Sequence, residues 1–315
     1  MREIGYFLAS EEHGPRELLQ TARQAEAARF RSVWLSDHFH PWLDVQGQSP
    51  FVWSVIGGIA ATTRLSVTTA VTCPTVRIHP AIVAQAAATS QLMLDGRFSL
   101  GVGSGENLNE HILGDRWPAA DERLELLEEA VAVMRKLWQG GQVNHDGKHY
   151  RVVNARLYSL PETPPPILMS GFGRKSVSLA ARIADGYLSV KPERQLVEQY
   201  EREGGKGPKV GGLKVCWGAD EAAARKLAHK LWRNEGLPGQ LSQELALPAH
   251  YQAASQLVTE GMLPFPCGPD PERHLAAIKQ YEDAGFDAVY VNQIGPDQQG
   301  FFDFWQRELA PRLGL

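Results

Sequence analysis

The stretch that decides the fold is IGYFLA at residues 4–9, followed by Gly14-Pro15 and then by Leu18, Ala22 and Ala25. A continuous run of apolar and small residues is typical of a buried strand, whereas a spacing of three and four residues marks one face of a helix. Proline suits the first turn of a helix, because its missing N–H leaves no hydrogen bond unmade there. The opening of the chain therefore predicts a strand followed by a helix.

This alternation of strand and helix recurs through the chain. The predicted strands are rich in Val, Ile and Leu without strict alternation. They are Ile4–Ala9, Ser32–Ser36, Leu65–Val71, Phe98–Val102, Ile167–Ser170, Gly186–Val190, Leu213–Trp217 and Ala288–Asn292. The later predicted helices are Pro80–Leu94, a helix capped by Asp121 with Leu124, Leu127, Val131, Met134 and Leu137 on one face, Lys175–Ala184, Arg194–Glu203 and Glu221–Trp232. Such strands between helices indicate a parallel sheet that is covered on both faces.

Eight strands favour a closed barrel over an open doubly wound sheet. A dinucleotide-binding sheet would normally open with Gly-x-Gly-x-x-Gly, which the first unit lacks. We therefore predict an α/β fold, a (β/α)8 TIM barrel that forms a single domain over residues 1–315. Residues 238–271 are Pro-rich and irregular, and we interpret them as an insertion over the C-terminal barrel mouth.

The charge balance and the cysteines restrict the kinds of partner. The formal net charge of −4 arises from 32 basic and 36 acidic residues without long runs, which argues against nucleic acid or an anionic membrane. Cys73, Cys216 and Cys267 are odd in number and far apart, so neither a disulfide framework nor a zinc site is indicated. The start of the chain lacks the apolar stretch of a signal peptide, and no segment approaches the ~20 apolar residues of a membrane span. We expect a cytoplasmic protein with a small-molecule substrate.

The strongest candidates for chemistry follow the second strand, because active sites of such barrels lie at the carboxyl ends of strands. The segment Ser36-Asp37-His38-Phe39-His40-Pro41-Trp42 places a carboxylate, two imidazoles and an indole there. Asp37 is suited to bind a polar cofactor edge, and His38 to act as a base near neutral pH. The alternatives are a hydrogen-bonded turn with surface histidines, or half of a metal site whose remaining ligands no second cluster supplies.

Two further segments combine glycines with charged residues. Gly101-Val102-Gly103-Ser104-Gly105-Glu106 allows backbone to approach a ligand and offers Glu106 as an acid, unless it is a tight turn with solvated carboxylates. Ser170-Gly171-Phe172-Gly173-Arg174-Lys175-Ser176 runs into a helix and suits a phosphate group, unless it is a plain helix entry with exposed cations. Cys73-Pro74, after the third strand, is interpreted on general grounds as a buried, inert thiol.

Taken together and in this order, four segments resemble the luciferase-like family, within it the branch that uses the deazaflavin coenzyme F420 and is related to the F420-dependent glucose-6-phosphate dehydrogenases. The segments are residues 36–42, 68–75, 101–106 and 267–271. The resemblance covers nearly the whole chain and implies a bacterial-luciferase-like barrel that forms a homodimer. It also implies a hydride-transferring oxidoreductase, since deazaflavins carry hydride and react poorly with oxygen.

The resemblance implies a coenzyme lying across the barrel mouth. The cofactor-binding positions that it implies are Asp37, Ala70, Val71, Cys73, Ser104, Gly105, Asn109, Phe172, Gly173, Lys175 and Ser176. Among them, the Ala70-Val71 bond corresponds to a cis peptide in the family, and Cys73 replaces a residue that is often Thr. No metal is implied.

The resemblance also implies the catalytic groups. His38 takes the alcohol proton, Glu106 serves as the acid, and Trp42 stabilises the developing charge. Glu11 matches a further acidic residue near the site. The alternatives are an FMN-dependent luciferase-like monooxygenase and a noncatalytic flavin-binding protein, the second of which intact His38 and Glu106 argue against.

The substrate is where the resemblance is weakest. Lys191 matches one of the phosphate-binding cations of the sugar-phosphate dehydrogenases, but no Lys or Arg lies between Arg233 and Arg273, where the other two would come from. We therefore expect a less charged alcohol or carbonyl substrate rather than glucose 6-phosphate.

Overall fold

The computed structural model describes residue 1 and residues 3–315, and its central feature is a closed barrel of eight parallel strands. Including a hairpin outside the barrel, the strands of the described residues are β1 (Glu3–Leu8), β2 (Ser32–Leu35), β3 (Ser66–Thr69), β4 (Phe98–Val102), β5 (Val143–Asp146), β6 (Arg151–Ala155), β7 (Ile167–Ser170), β8 (Gly186–Ser189), β9 (Lys209–Val215) and β10 (Ala288–Gln293). Their order around the barrel is β1-β10-β9-β8-β7-β4-β3-β2, while β5 and β6 form a separate antiparallel hairpin. The (β/α)8 barrel prediction is confirmed.

Helices surround the barrel and connect its strands. They are α1 (Pro15–Ala27), α2 (Val52–Thr62), α3 (Pro80–Met93), α4 (Asn107–Glu110), α5 (Ala120–Trp138), α6 (Arg174–Ile183), α7 (Arg194–Arg202), α8 (Glu221–Trp232), α9 (Leu241–Glu244), α10 (Pro248–Ala254), α11 (Pro271–Asp283), α12 (Gln298–Phe304) and α13 (Ala310–Leu313). Single 3₁₀ turns occupy His111–Leu113, Arg233–Gly236, Ser255–Leu257 and Glu260–Met262, and a π turn occupies Trp305–Leu309. In the described part of the chain, none of these helices combines the length and the apolar character that crossing a membrane requires.

Apolar side chains fill the barrel interior separately from the larger core between strands and helices. The interior cluster consists of Phe7, Trp34, Leu168, Leu188, Val210, Ala288 and Tyr290. At its centre the rings of Trp34 and Tyr290 stack with centroids 4.7 Å apart and planes 13° from parallel. Because these side chains fill the barrel interior, a ligand has to bind at the ends of the strands rather than inside the barrel.

Gly101 allows β3 and β4 to approach each other closely. A Cβ atom at this position would lie 1.8 Å from the carbonyl oxygen of Thr69, which no side chain can tolerate. Gly103 similarly leaves room for Val71, whose Cγ2 would be 2.7 Å from an added Cβ. These two glycines therefore accommodate protein atoms of the third strand and its loop, in addition to any ligand that the sequence suggested.

The structure corrects several predicted boundaries. Asp121 is not a cap, since α5 begins at Ala120 with Ala119 before it, and the Asp121 carboxylate instead pairs with Lys175. The strand predicted at Leu213–Trp217 is β9, which starts at Lys209 and ends at Val215. Its first half was missed because Gly211 and Gly212 give no strand signal, although the side chains of Tyr281 and Trp34 pack over them. Helix α2 and the β5–β6 hairpin were also missed, despite Asp146-Gly147, a strong hairpin signal.

Candidate active site

The first four barrel strands bring the predicted catalytic residues to one end of the barrel. Glu11 follows β1 and His38 follows β2, and the Oε1 atom of Glu11 lies 3.6 Å from Nε2 of His38. Glu11 is only 2% exposed, and its other oxygen accepts a hydrogen bond from the Ser36 hydroxyl at 2.6 Å. The ring of Trp42 lies 4.9 Å from the His38 ring, centroid to centroid. The structure thus brings the carboxylate of Glu11 to the imidazole and indole of the 36–42 segment, although Glu11 is distant from them along the chain.

Asn109 holds the histidine segment in place. Its Oδ1 atom accepts hydrogen bonds from the backbone N–H groups of Phe39 and His40 at 2.9 and 3.1 Å, which fixes the orientation of the amide. Its Nδ2 atom consequently faces Nδ1 of His38 at 3.1 Å. Asn109 was predicted to touch the cofactor. In the structure it is 1% exposed, and its side chain also supports His38.

Asp37 belongs to a buried charge cluster that the sequence did not reveal. Its carboxylate accepts hydrogen bonds from the Thr72 hydroxyl at 2.8 Å and from Arg77 at 3.0 Å. Arg77 also lies 3.6 Å from Oε1 of Glu110, whose Oε2 accepts from the backbone N–H of Arg77 at 2.8 Å. Burial raises the pKa of Glu110 to about 7. Two carboxylates therefore share one guanidinium beneath the mouth.

The remaining predicted positions around β3 and β4 lie at the rim of this cluster. The Ala70-Val71 peptide bond is cis, as the resemblance implied. Ser104 and Glu106 are half-buried, and Glu106 precedes the short helix α4, where its carbonyl accepts the N–H groups of Asn109 and Glu110. Cys73 is 3% exposed, and burial raises the pKa of its thiol well above the usual range. This buried, protonated thiol agrees with the inert cysteine that was expected on general grounds.

The predicted phosphate-binding residues form a second group at the start of α6. Gly173 precedes the helix, Phe172 is 44% exposed, and no atom lies within 4 Å of the place where a Cβ on Gly173 would be. The Ser176 hydroxyl donates to the carbonyl of Gly173 at 2.8 Å. The exposed Lys175 pairs with Asp121 at 2.7 Å, an interaction that solvent weakens. This group faces an open space and is not in contact with the His38 network.

Residues within the 238–271 segment contact the mouth loops. The Tyr251 ring packs edge-on against Trp42 at 5.3 Å, and it shares a small cluster with Leu43 and Leu108. The side-chain amide of Asn107 donates to the carbonyl of Glu244 at 3.0 Å. The segment thus touches the loops after both β2 and β4.

The structure adds charged residues that sequence analysis did not single out, notably Arg77, Glu110 and Lys214. Arg77 and Glu110 are separated from their partners by more than thirty positions, so no local pattern marks them. Lys214 did have a signal, because a lysine stood inside a strand predicted to be buried. Lys191, the predicted substrate residue, is exposed after β8.

A closed (β/α)8 barrel with acidic, imidazole and indole groups at the carboxyl ends of its strands defines a small-molecule enzyme of the TIM-barrel class. Residues 2–291 match the luciferase-like monooxygenase family, and the chain belongs to that family. This confirms the resemblance seen in the sequence.

Several characterised proteins are similar over nearly the full chain. F420-dependent glucose-6-phosphate dehydrogenase of Microbacterium testaceum is 35% identical, with 98% of this chain and 97% of the relative covered. The enzyme of the same name from Tsukamurella paurometabola is 34% identical, with 99% and 98% covered. Among solved structures, an F420-dependent secondary alcohol dehydrogenase in complex with an F420-acetone adduct is 29% identical, with a TM-score of 0.91 and 98% and 99% of the two chains covered.

We predict that Glu110 makes the fold less stable as the pH rises. Its carboxyl binds a proton more tightly in the folded than in the unfolded chain, so its stabilising effect is present below the unfolded pKa and is lost as the pH rises through about 7. Between pH 6 and pH 8 this loss amounts to about 1 kcal/mol in the free energy of unfolding.

Glu110→Gln should therefore reduce the pH dependence of stability, measured by urea unfolding at pH 6 and pH 8. Glu125→Gln is a control, because Glu125 is an exposed carboxylate on α5 whose pKa is lowered by Lys148 and His149. An unchanged pH dependence in Glu110→Gln would show that the buried carboxyl does not titrate in this range.

Proposed function

We propose that this protein is an F420-dependent oxidoreductase that transfers a hydride between the coenzyme and an alcohol or carbonyl compound, with glucose 6-phosphate a poor substrate. The observation that carries the proposal is the buried Glu11–His38–Asn109 network beside Trp42. It places a proton-transferring group at the barrel mouth, where oxidation of an alcohol needs one. The similarity to F420-dependent dehydrogenases over nearly the full chain supports the choice of coenzyme.

The residues at the mouth fit a deazaflavin. Ala70 and Val71 pack against the interior cluster and remain half-buried, which leaves an apolar surface for a flat ring. The start of α6 offers backbone N–H groups that have no acceptor within the helix, beside Lys175 and the open space at Gly173. Asp37, Ser104, Gly105 and Asn109 would contact the coenzyme at the mouth, and Phe172, Gly173, Lys175 and Ser176 would hold its phosphate. When bound, coenzyme F420 supplies a ring carbon that accepts or donates a hydride.

His38 is suited to hold or release a proton at Nε2. Its Nδ1 atom lies 3.2 Å from the carbonyl oxygen of His40, an acceptor, and 3.1 Å from Nδ2 of Asn109, a donor. A protonated Nδ1 therefore donates to His40, and a bare Nδ1 accepts from Asn109. Because both states of Nδ1 are hydrogen bonded, Nε2 can take the alcohol proton, and the Glu11 carboxylate at 3.6 Å stabilises the imidazolium that results.

Glu106 and Trp42 complete the proposed catalytic set. Glu106 is half-buried beyond the end of β4. In this proposal its carboxyl is the general acid, the group that donates a proton. Trp42 is held between His38 and Tyr251, and its indole lies against the charge that develops on His38. In this proposal the 238–271 segment covers the mouth and excludes water through Tyr251.

The cations available to a substrate support a preference for uncharged compounds. Arg233 and Arg273, which bound the cation-free stretch, are engaged, with Arg233 donating to Ser255 at 3.1 Å and Arg273 to Glu221 at 2.6 Å. Lys191 remains as the proposed substrate contact and is exposed.

We further propose that two copies of the chain form a homodimer in the cytoplasm. Exposed apolar side chains of Phe51, Ile82 and Met93 lie together on and around α2 and α3. An apolar patch of this kind on a soluble enzyme is suited to a second subunit.

The coenzyme preference should favour F420 over FMN by at least about tenfold in the dissociation constant, or about 1.4 kcal/mol. Fluorescence titration of the purified protein with each compound measures this ratio. Tight FMN binding with oxygen consumption would instead identify a monooxygenase, and F420 binding without turnover on any alcohol would identify a binding protein.

Removal of the proton-transferring groups should lower turnover without weakening coenzyme binding. His38→Ala and Glu106→Gln are each expected to reduce kcat by roughly 10²-fold, while the Kd for F420 stays within about twofold. His250→Ala, an exposed histidine on α10, is the matched control. Wild-type turnover in either variant would remove that residue from the mechanism.

Uncharged secondary alcohols should reduce F420 with a higher kcat/KM than glucose 6-phosphate. A phosphate dianion in this mouth lacks two charge-assisted contacts, each worth roughly 1.5–3 kcal/mol. Steady-state assays across sugar phosphates and simple secondary alcohols test the preference. A kcat/KM above about 10⁴ M⁻¹s⁻¹ for glucose 6-phosphate would contradict it.

A further inference from the structure

Lys214 places an ammonium group inside the barrel mouth. Along β9, Val210 belongs to the interior cluster, and an added Cβ on Gly212 would lie 2.8 Å from the ring of Trp34, so this row of residues faces inward. Lys214 continues the same row, because side chains two apart on a strand share a face. Its Nζ atom lies 4.4 Å from the ring centroid of Trp232 and 5.9 Å from that of Phe7.

The aromatic partner of this ammonium contacts the loop after β1. The indole N–H of Trp232 donates to Oε1 of Glu12 at 2.5 Å, and Oε2 of Glu12 accepts from the backbone N–H of Gly295 at 2.8 Å. Glu12 is the neighbour of Glu11 in the chain. Lys214 is therefore linked, through the ring of Trp232 and the carboxylate of Glu12, to the loop that carries Glu11.

Glu235 neutralises Lys214. Its Oε1 atom lies 2.9 Å from the Lys214 Nζ, and the two side chains are 26% and 12% exposed. Glu235 lies in the 3₁₀ turn Arg233–Gly236, directly before the 238–271 segment. An ion pair that is mostly shielded from water interacts more strongly than one on the surface, so Glu235 cancels much of the positive charge that a second anion would meet at Lys214.

We propose that the Glu235–Lys214 pair determines substrate charge: Glu235 occupies the ammonium of Lys214 and thereby disfavours phosphorylated substrates relative to uncharged ones. The inference rests on the proposed function, because it names the class of substrate that the same mouth accepts. It also implies that the mouth already contains a cation able to bind phosphate once its carboxylate partner is removed.

Glu235→Gln tests the pair, since the amide keeps the size of the side chain and removes its charge. Full-length protein, with and without saturating coenzyme F420, is titrated by calorimetry with glucose 6-phosphate and with glucose. We expect the variant to bind glucose 6-phosphate at least about fivefold more tightly than the wild type, and glucose equally well. The gain should shrink as salt is raised from 0.05 to 0.5 M, values chosen to vary screening strongly.

Two variants assign the effect to this site. Lys214→Met combined with Glu235→Gln should abolish the gain, because no freed ammonium remains. Glu201→Gln removes the same charge at the opposite end of β9, where Glu201 pairs with the similarly buried Lys209 at 2.7 Å, and it should leave affinity unchanged. Circular dichroism and thermal unfolding confirm that each variant is folded.

The inference is overturned if Glu235→Gln shows wild-type affinity for glucose 6-phosphate, if Glu201→Gln gains as much, or if the double variant keeps the gain. These results do not depend on turnover. If the protein oxidises no alcohol with F420, the proposed function is contradicted. The difference in affinity between glucose 6-phosphate and glucose would still test the role of the ion pair.

Discussion

The loops after β2, β3 and β4 are held together by one guanidinium, that of Arg77, which lies between Asp37 and Glu110. All three side chains are nearly inaccessible to water, with exposures of 7%, 1% and 0%. Taking these charges out of water is costly, and the cost is offset only by close pairing and additional hydrogen bonds. Thr72 supplies such a bond to Asp37, and the backbone of residues 76 and 77 supplies them to Glu110.

This cluster explains how the segment that carries His38, the proposed catalytic histidine, is positioned. Asp37 immediately precedes His38, and Glu110 immediately follows Asn109, which holds His38 from the other side. The buried charges fix Asp37 and Glu110, and through these chain neighbours they position His38 and Asn109. Burial of its carboxyl raises the pKa of Glu110 to about 7, although the neighbouring Arg77 favours the charged form.

Sequence patterns predicted the barrel and most of its mouth, for physical reasons that individual residues illustrate. Apolar strands such as Phe98–Val102 and Ile167–Ser170 are recognisable because burial on both faces leaves an uninterrupted apolar run. His38 and Glu106 were singled out as candidates because each lies a few residues beyond such a strand. Arg77 was not found, since its partners belong to loops that only the closed barrel brings together. The first half of β9 was not found either, because its glycines are explained only by the aromatic rings that cover them.

The barrel also separates the proposed proton-transferring groups from the proposed substrate-binding residues. Glu11, His38 and Glu106 follow strands β1, β2 and β4, which lie with β3 in one half of the barrel wall, and Asn109 contacts His38 there. Lys191 and Lys214 belong to β8, β9 and their loops in the other half, and Glu235 lies shortly before the 238–271 segment. Under the proposal, a change of charge in the second half would alter which substrates bind without moving His38 or the buried cluster around Arg77.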